Sequence, residues 1–152
     1  MKSQRGFTLL ELMVVVAIIA ILALIAFPSY TEYVRKGKRS SGIGAINQLQ
    51  LALERYRSDC PTYDSSTSSP DCLDFNHDGD HTDAGEAYPS VTSTYYTIAV
   101  SGQSATGYTI TATPVSTFSD PKCGTLTVVY SGGAVTSQTV SGSQTAAYCF
   151  SK

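Results

Sequence analysis

Between Asp74 and Glu86 the chain alternates hard oxygen donors. Asp74, Asn76 and Asp78 stand two residues apart, Gly79 follows, and Asp80, Asp83 and Glu86 come after. Oxygen ligands at alternate positions can curl around one cation, and a glycine after them permits the sharp turn that such a closure needs. This is the first half of an EF-hand-type calcium loop. The second half departs from it, because the twelfth position counted from Asp74 is Gly85 rather than a bidentate acid. Asp83 or Glu86 could complete the shell instead. Calcium binding and a merely solvated acidic loop both fit the pattern. His77 and His81, four apart in the same loop, could share zinc or copper, but so many neighbouring carboxylates favour a hard cation.

Four cysteines form the second chemical constellation: Cys60, Cys72, Cys123 and Cys149. Four allow three pairings. Cys60 with Cys72 and Cys123 with Cys149 is the preferred set, since each pair closes a short local loop, and each bridge should stabilise by about 3 kcal/mol in the loop-entropy view. Zinc is the rival, but no C-x-x-C pair is present.

The third is a single acid in an apolar stretch. Glu11 lies near the start of GFTLLELMVVVAIIAILALIAF, Gly6 to Phe27. As a helix, Phe7 to Phe27 would rise about 30 Å, close to the thickness of bilayer hydrocarbon. An acid inside hydrocarbon costs about 2.5 to 3.5 kcal/mol on insertion scales and marks a functional position by default. It calls for a partner. A cleaved secretory signal fits poorly, because Ala20, Ala23 and Ala26 are spaced by three and Pro28 follows at once. A plain anchor explains the length but not Glu11.

These groups have to be positioned by few elements. Pro28 should kink the helix without ending it. Beyond it, Tyr33, Val34, Ile43, Ile46, Leu49, Leu53 and Tyr56 recur at spacings of three and four, which predicts a helix to about Ser58 with one face for a sheet. Gly37, Gly42 and Gly44 weaken its middle, or mark close packing. Arg35, Lys36, Lys38 and Arg39 read as a solvated or inter-subunit helix face, with contact to phosphate or anionic lipid as the alternative. From Cys60 to Pro89 the chain is polar and rich in turns. Three alternating runs then predict strands: Tyr96, Ile98 and Val100; Tyr108, Ile110 and Ala112; Leu126, Val128 and Tyr130. SGQSATG from Ser101 and SGG from Ser131 supply turns, so the strands should form an antiparallel meander, with a further strand somewhere between Val135 and Phe150.

The N-terminal residues carry a resemblance. Gly6, Phe7, Thr8, Leu9 and Glu11, after a short leader with Lys2 and Arg5, resemble the processing site of type IV prepilins. The continuation FPSYTEYVRKGKRS is similar to type IVa pilins, most of all their PilE-like minor-pilin branch. The match covers roughly the first third of the chain. It implies an α+β fold, the type IV pilin fold, in which a long N-terminal helix packs on an antiparallel β-sheet head with a disulfide-bounded C-terminal loop, here Cys123 to Cys149. It divides the chain into a leader at 1–6, a hydrophobic transmembrane and assembly half-helix at 7–29, and a head at 30–152. Prepilin peptidase would cut between Gly6 and Phe7 and methylate the Phe7 amine, and Glu11 would attract that amine on a neighbouring subunit. Other pilin subunits, the assembly machinery and the inner membrane are the implied partners. The precursor would keep its head in the periplasm, and the assembled fibre would be extracellular. That orientation puts the basic run on the far side, against the positive-inside bias.

The chain has 152 residues and a net charge of −2. Loss of the leader, with Lys2 and Arg5, lowers this further, and neither balance indicates a general nucleic-acid binder. No G-x-S-x-G, Walker loop, H-E-x-x-H or dinucleotide fingerprint occurs, so the expectation is a structural protein rather than an enzyme. No cofactor is required, with Ca2+ as the one candidate. The expected function is a structural, minor subunit of a type IV pilus, serving adhesion, twitching motility or DNA uptake. The alternatives are a type II secretion pseudopilin and a calcium-binding anchored adhesin that does not polymerise.

Overall fold

The computed structural model of the chain describes residues 7–64 and 89–151. Helix α1 (Leu9–Asp59) precedes four strands, β1 (Tyr96–Ser101), β2 (Gly107–Pro114), β3 (Leu126–Ser131) and β4 (Ala134–Val140), and a short helix α2 (Ala146–Phe150) follows. The chain divides into two compact units, Met1–Gly37 and Lys38–Lys152.

In the first unit, Thr8 caps the start of α1. Its Oγ1 accepts from the Glu11 amide at 3.2 Å, and its carbonyl from the Leu12 amide at 3.3 Å. Glu11 is thus the third helical residue, the position that an acid takes in a capping box. Every residue from Leu9 to Phe27 is exposed, and the helix is long and apolar enough to cross a membrane. Pro28 lies inside α1 without ending it. Proline brings no N–H to the turn before it, so the Leu24 carbonyl loses its usual donor. Hydroxyls gather around this turn: Ser29 Oγ donates to the Ile25 carbonyl at 3.3 Å, and Thr31 Oγ1 to the Pro28 carbonyl at 2.9 Å.

In the second unit, the helix face predicted from spacing is the one that is buried. Ile46, Leu49 and Leu53 join Tyr96, Tyr108, Ile110, Ala112, Leu126 and Val128 in one core. The strands form a single antiparallel sheet in the order β1-β2-β3-β4. Register explains why the core residues meet. Ile98 pairs with Ala112 and Ala112 with Leu126, while Val100 pairs with Ile110 and Ile110 with Val128. Alternation sends these rows to the helix side. The other side carries Thr97, Thr109, Thr111, Thr113 and Thr127, β-branched residues that suit a pleated surface facing water.

The fourth strand starts at Ala134, and the stretch after it forms α2 rather than more sheet. Gly132 and Gly133, at φ 62° and 87°, make the two-residue turn between β3 and β4, where positive φ at both positions matches the twist of the paired strands. A bulge follows between Val129 and Tyr130.

Gly42 is the close-packed glycine of the three. A Cβ placed there would lie 2.6 Å from Tyr96 Cδ2, whereas none would meet anything within 4 Å at Gly37 or Gly44. Because the Tyr96 ring is itself fully packed, Gly42→Ala should cost about 1–3 kcal/mol. Urea melts should show this loss, with Gly44→Ala neutral or mildly stabilising.

Candidate functional site

Arg39 was expected on a solvated helix face and is instead buried, at 3% exposure. Its spacing explains this: 39, 42, 46, 49 and 53 follow the core face of α1. Arg39 Nε donates to Asp120 Oδ2 at 2.7 Å and Nη2 to Oδ1 at 3.0 Å, a bidentate pair. Tyr96 Oη donates to Oδ2 at 3.4 Å and the Cys123 amide to Oδ1 at 3.3 Å, so the carboxylate is met on both oxygens. Burial alone pushes the Asp120 carboxyl up. The Arg39 hydrogen bonds and charge, helped by Cys123 and Tyr96, outweigh it and hold the carboxyl below its ordinary value. The Tyr96 hydroxyl is pushed well up, first by burial and then by the Asp120 charge.

Asp120 stands three residues before Cys123, which is bonded to Cys149 with Cα atoms 5.8 Å apart. The ion pair therefore ties the helix to the disulfide-closed end of the sheet. Around it lie cations on aromatic rings. Lys38 Nζ is 4.9 Å from the Tyr95 ring centroid and 5.4 Å from that of Phe118. Lys122 Nζ lies 5.9 Å and Arg39 Cζ 5.8 Å from the ring of Tyr148. Among the described residues Lys38 has no carboxylate partner, and Tyr148 is 41% exposed. Two lysines therefore lie over aromatic rings close in sequence to the Arg39–Asp120 pair.

A second polar cluster closes the opposite part of the core. Glu54 accepts from the Tyr63 hydroxyl at 3.0 Å and the Tyr108 hydroxyl at 3.2 Å. Tyr108 stacks on Tyr130 at 4.9 Å, and Tyr63 meets both rings edge-on. Burial first, and the Glu54 hydrogen bond and charge next, push the Tyr63 hydroxyl well up. The Tyr63 amide also donates to the Ser104 carbonyl at 3.0 Å, which fixes the segment after α1 to the β1–β2 turn.

The other sequence-predicted residues are dispersed. Phe7 is exposed and Glu11 lies in the capped first turn of α1. Cys60 is buried after the end of α1. Gly6, Cys72 and the candidate ligands Asp74, Asn76, Asp78, Asp80, Asp83 and Glu86 lie outside the described residues. Among the described residues no group of three or more His, Cys, Asp or Glu side chains converges as a metal site.

A long apolar N-terminal helix, a four-stranded antiparallel sheet and a disulfide near the C-terminal end together make the type IV pilin fold. Residues 1–27 match the prokaryotic N-terminal methylation motif. Residues 28–127 match the family described as type IV minor pilin ComP, DNA uptake sequence receptor, and the chain belongs to that family. No curated protein matches it. It is a minor subunit of the type IV pilus involved in DNA uptake, a structural pilin that assembles with other pilins and the pilus machinery from a membrane-anchored precursor.

Replacing Arg39 with leucine would leave Asp120 buried and unpaired, a loss of about 3–5 kcal/mol at neutral pH. Because the folded carboxyl titrates below its ordinary value of 3.8, its stabilisation is present above that value and fades as pH falls through the folded one. Burial raises the unpaired carboxyl of the variant, so denaturant melts should show the gap between native protein and Arg39→Leu starting to narrow above about pH 4 and continuing until pH passes the lowered native value.

Proposed function

We propose that the head is itself a DNA-binding surface, and that Lys38 and Lys122 contact the phosphate backbone. The observation that carries this reading is the Lys38 ammonium. It rests on the faces of Tyr95 and Phe118, without a carboxylate partner among the described residues. Aromatic faces hold a cation in place while leaving N–H donors for an anion. Lys122 Nζ likewise lies over a ring, that of Tyr148, near the disulfide. The net charge of −2 does not oppose it. Six acids and no cation fall within residues 65–88, so the rest of the chain is net positive. In duplex-binding titrations with the full chain in detergent, Lys38→Gln should weaken affinity and flatten the slope of log K against log salt by about 0.9, the share of one phosphate contact. An unchanged slope would remove Lys38 from the interface.

Assembly is read from the N-terminal residues. Prepilin peptidase cuts after Gly6 and methylates Phe7, and Glu11 then pairs with the Phe7 amine of a neighbouring subunit, with the head held in the periplasm beforehand. A carboxylate within a helix bundle is tolerable chiefly when paired, which supports this role for Glu11. Mass spectrometry of sheared fibres should find a chain beginning at methylated Phe7. Glu11→Ala should be processed yet depleted from the fibres, and incorporation at native levels would sink the pairing.

The alternating donors from Asp74 to Glu86 are proposed to hold one Ca2+. Calorimetric titration of the full chain should show one site that Asp78→Ala weakens at least tenfold, about 1.4 kcal/mol. Absence of heat in both proteins would leave the segment as a solvated acidic loop.

A further inference from the structure

Four side chains just beyond the apolar stretch follow one another at intervals of three: Phe27, Tyr30, Tyr33 and Lys36. All are exposed, the three rings at 72%, 67% and 77%. Each step climbs α1 by about 4.5 Å, so the set spans about 13.5 Å of helix. Along it the chemistry changes in one direction. A wholly apolar ring gives way to two rings with a polar tip, and these to an ammonium on a flexible stem.

That order is the order of a membrane boundary. Tyrosine favours the headgroup level, where the ring stays in the apolar margin and the hydroxyl reaches water, while lysine extends to the phosphates. Two further features put the boundary at the same height. Pro28 strips the Leu24 carbonyl of its donor, and the Ser29 and Thr31 hydroxyls bond backbone carbonyls in the adjoining turns. A backbone carbonyl that has lost its helical donor needs another, and water at the headgroup level supplies one readily. The exposed stretch from Leu9 to Phe27 below it has the length of the hydrocarbon layer.

The direction in which the set winds selects the occupant. Steps of three residues rotate by about 60° short of a full turn, so from Phe27 to Lys36 the side chains pass halfway round the helix. One partner helix would cover a single stripe. A lipid headgroup layer meets the helix on all sides. We infer that Phe27, Tyr30, Tyr33 and Lys36 form a docking collar for the phospholipid headgroups of the outer leaflet, with Lys36 pairing with anionic headgroups, and that this collar sets the depth at which the precursor waits in the membrane.

The chain contains no tryptophan, so a single introduced indole reports one depth. Phe27→Trp, Tyr30→Trp and Tyr33→Trp full-length chains would be placed in phosphatidylcholine–phosphatidylglycerol vesicles brominated either near the headgroup or near the chain ends. Quenching by the deep bromines should fall from position 27 to 30 to 33, with shallow quenching dominant at 33 and emission there blue-shifted from that in water. Lys36→Glu in the Tyr33→Trp chain should reduce shallow quenching by about twofold in anionic vesicles and leave it unchanged in neutral ones. Equal deep quenching at all three positions, or water-like unquenched emission at 33, would overturn the collar. So would quenching that disappears as protein is concentrated and persists only as energy loss between copies, which assigns the rings to a second chain. Equal behaviour of Lys36→Glu in both vesicle types would remove the anionic-headgroup contact.

Discussion

Arg39 brings a full charge into the seam between helix and sheet, and the seam can close over it only because Asp120 meets the guanidinium with two hydrogen bonds. Both ends of this contact are committed elsewhere. The helix turn that carries Arg39 continues into the face formed by Ile46, Leu49 and Leu53, and Asp120 holds the amide of Cys123, half of the disulfide. The pair therefore fixes a register between two segments far apart in sequence. A hydrophobic pair of the same volume would pack as well, but it would tolerate sliding that the bidentate geometry does not. Lys38, Tyr95, Phe118, Lys122 and Tyr148 take their positions around this point, so the placing of both lysines depends on a pair that is neutral as a whole.

The first unit answers to a different constraint. Its side chains from Leu9 to Phe27 are exposed among the described residues. Lipid tails and the helices of neighbouring pilins are about equally apolar, so leaving one for the other need not cost much per residue. What differs between them is the treatment of Glu11, which neither hydrocarbon nor an apolar helix can satisfy. The Thr8 cap shows that this acid also suits the isolated helix start, where the dipole favours negative charge. One residue thus serves the beginning of the helix and the demand for a partner.

Much of the fold was legible because it depends on periodicity. The three alternating runs became β1, β2 and β3, and the three- and four-residue spacing located the core face of α1 from Ile43 to Tyr56, while Tyr33, assigned to the same face, is exposed. The run Arg35, Lys36, Lys38, Arg39 is uniform in charge, and its members differ only in burial: of the four, Arg39 alone is buried, on the face it shares with Gly42 and Ile46. Asp120 had no local pattern to mark it, since its partner is distant in sequence. The net charge of −2 is an average of six acids in residues 65–88 and a remainder that is net positive. The helix α2 was also missed, because five residues are too few to establish a period. The family was legible from the N-terminal residues, where processing requires particular side chains in a fixed order.

The strand β4 differs from its neighbours in having almost no buried side chain: apart from Ser137 and Val140, every residue from Ala134 to Thr139 is exposed. Its place in the sheet is held mostly by backbone pairing to β3 and by the two-glycine turn, with only the Thr136 hydroxyl, which donates to the Val129 carbonyl at 3.2 Å, and Val140 against the core adding side-chain contacts. Selection on folding therefore acts weakly on their identity. Among the described strands this ribbon is the freest to diverge, and a natural place for an epitope tag or an antigenic change that leaves the pilin intact.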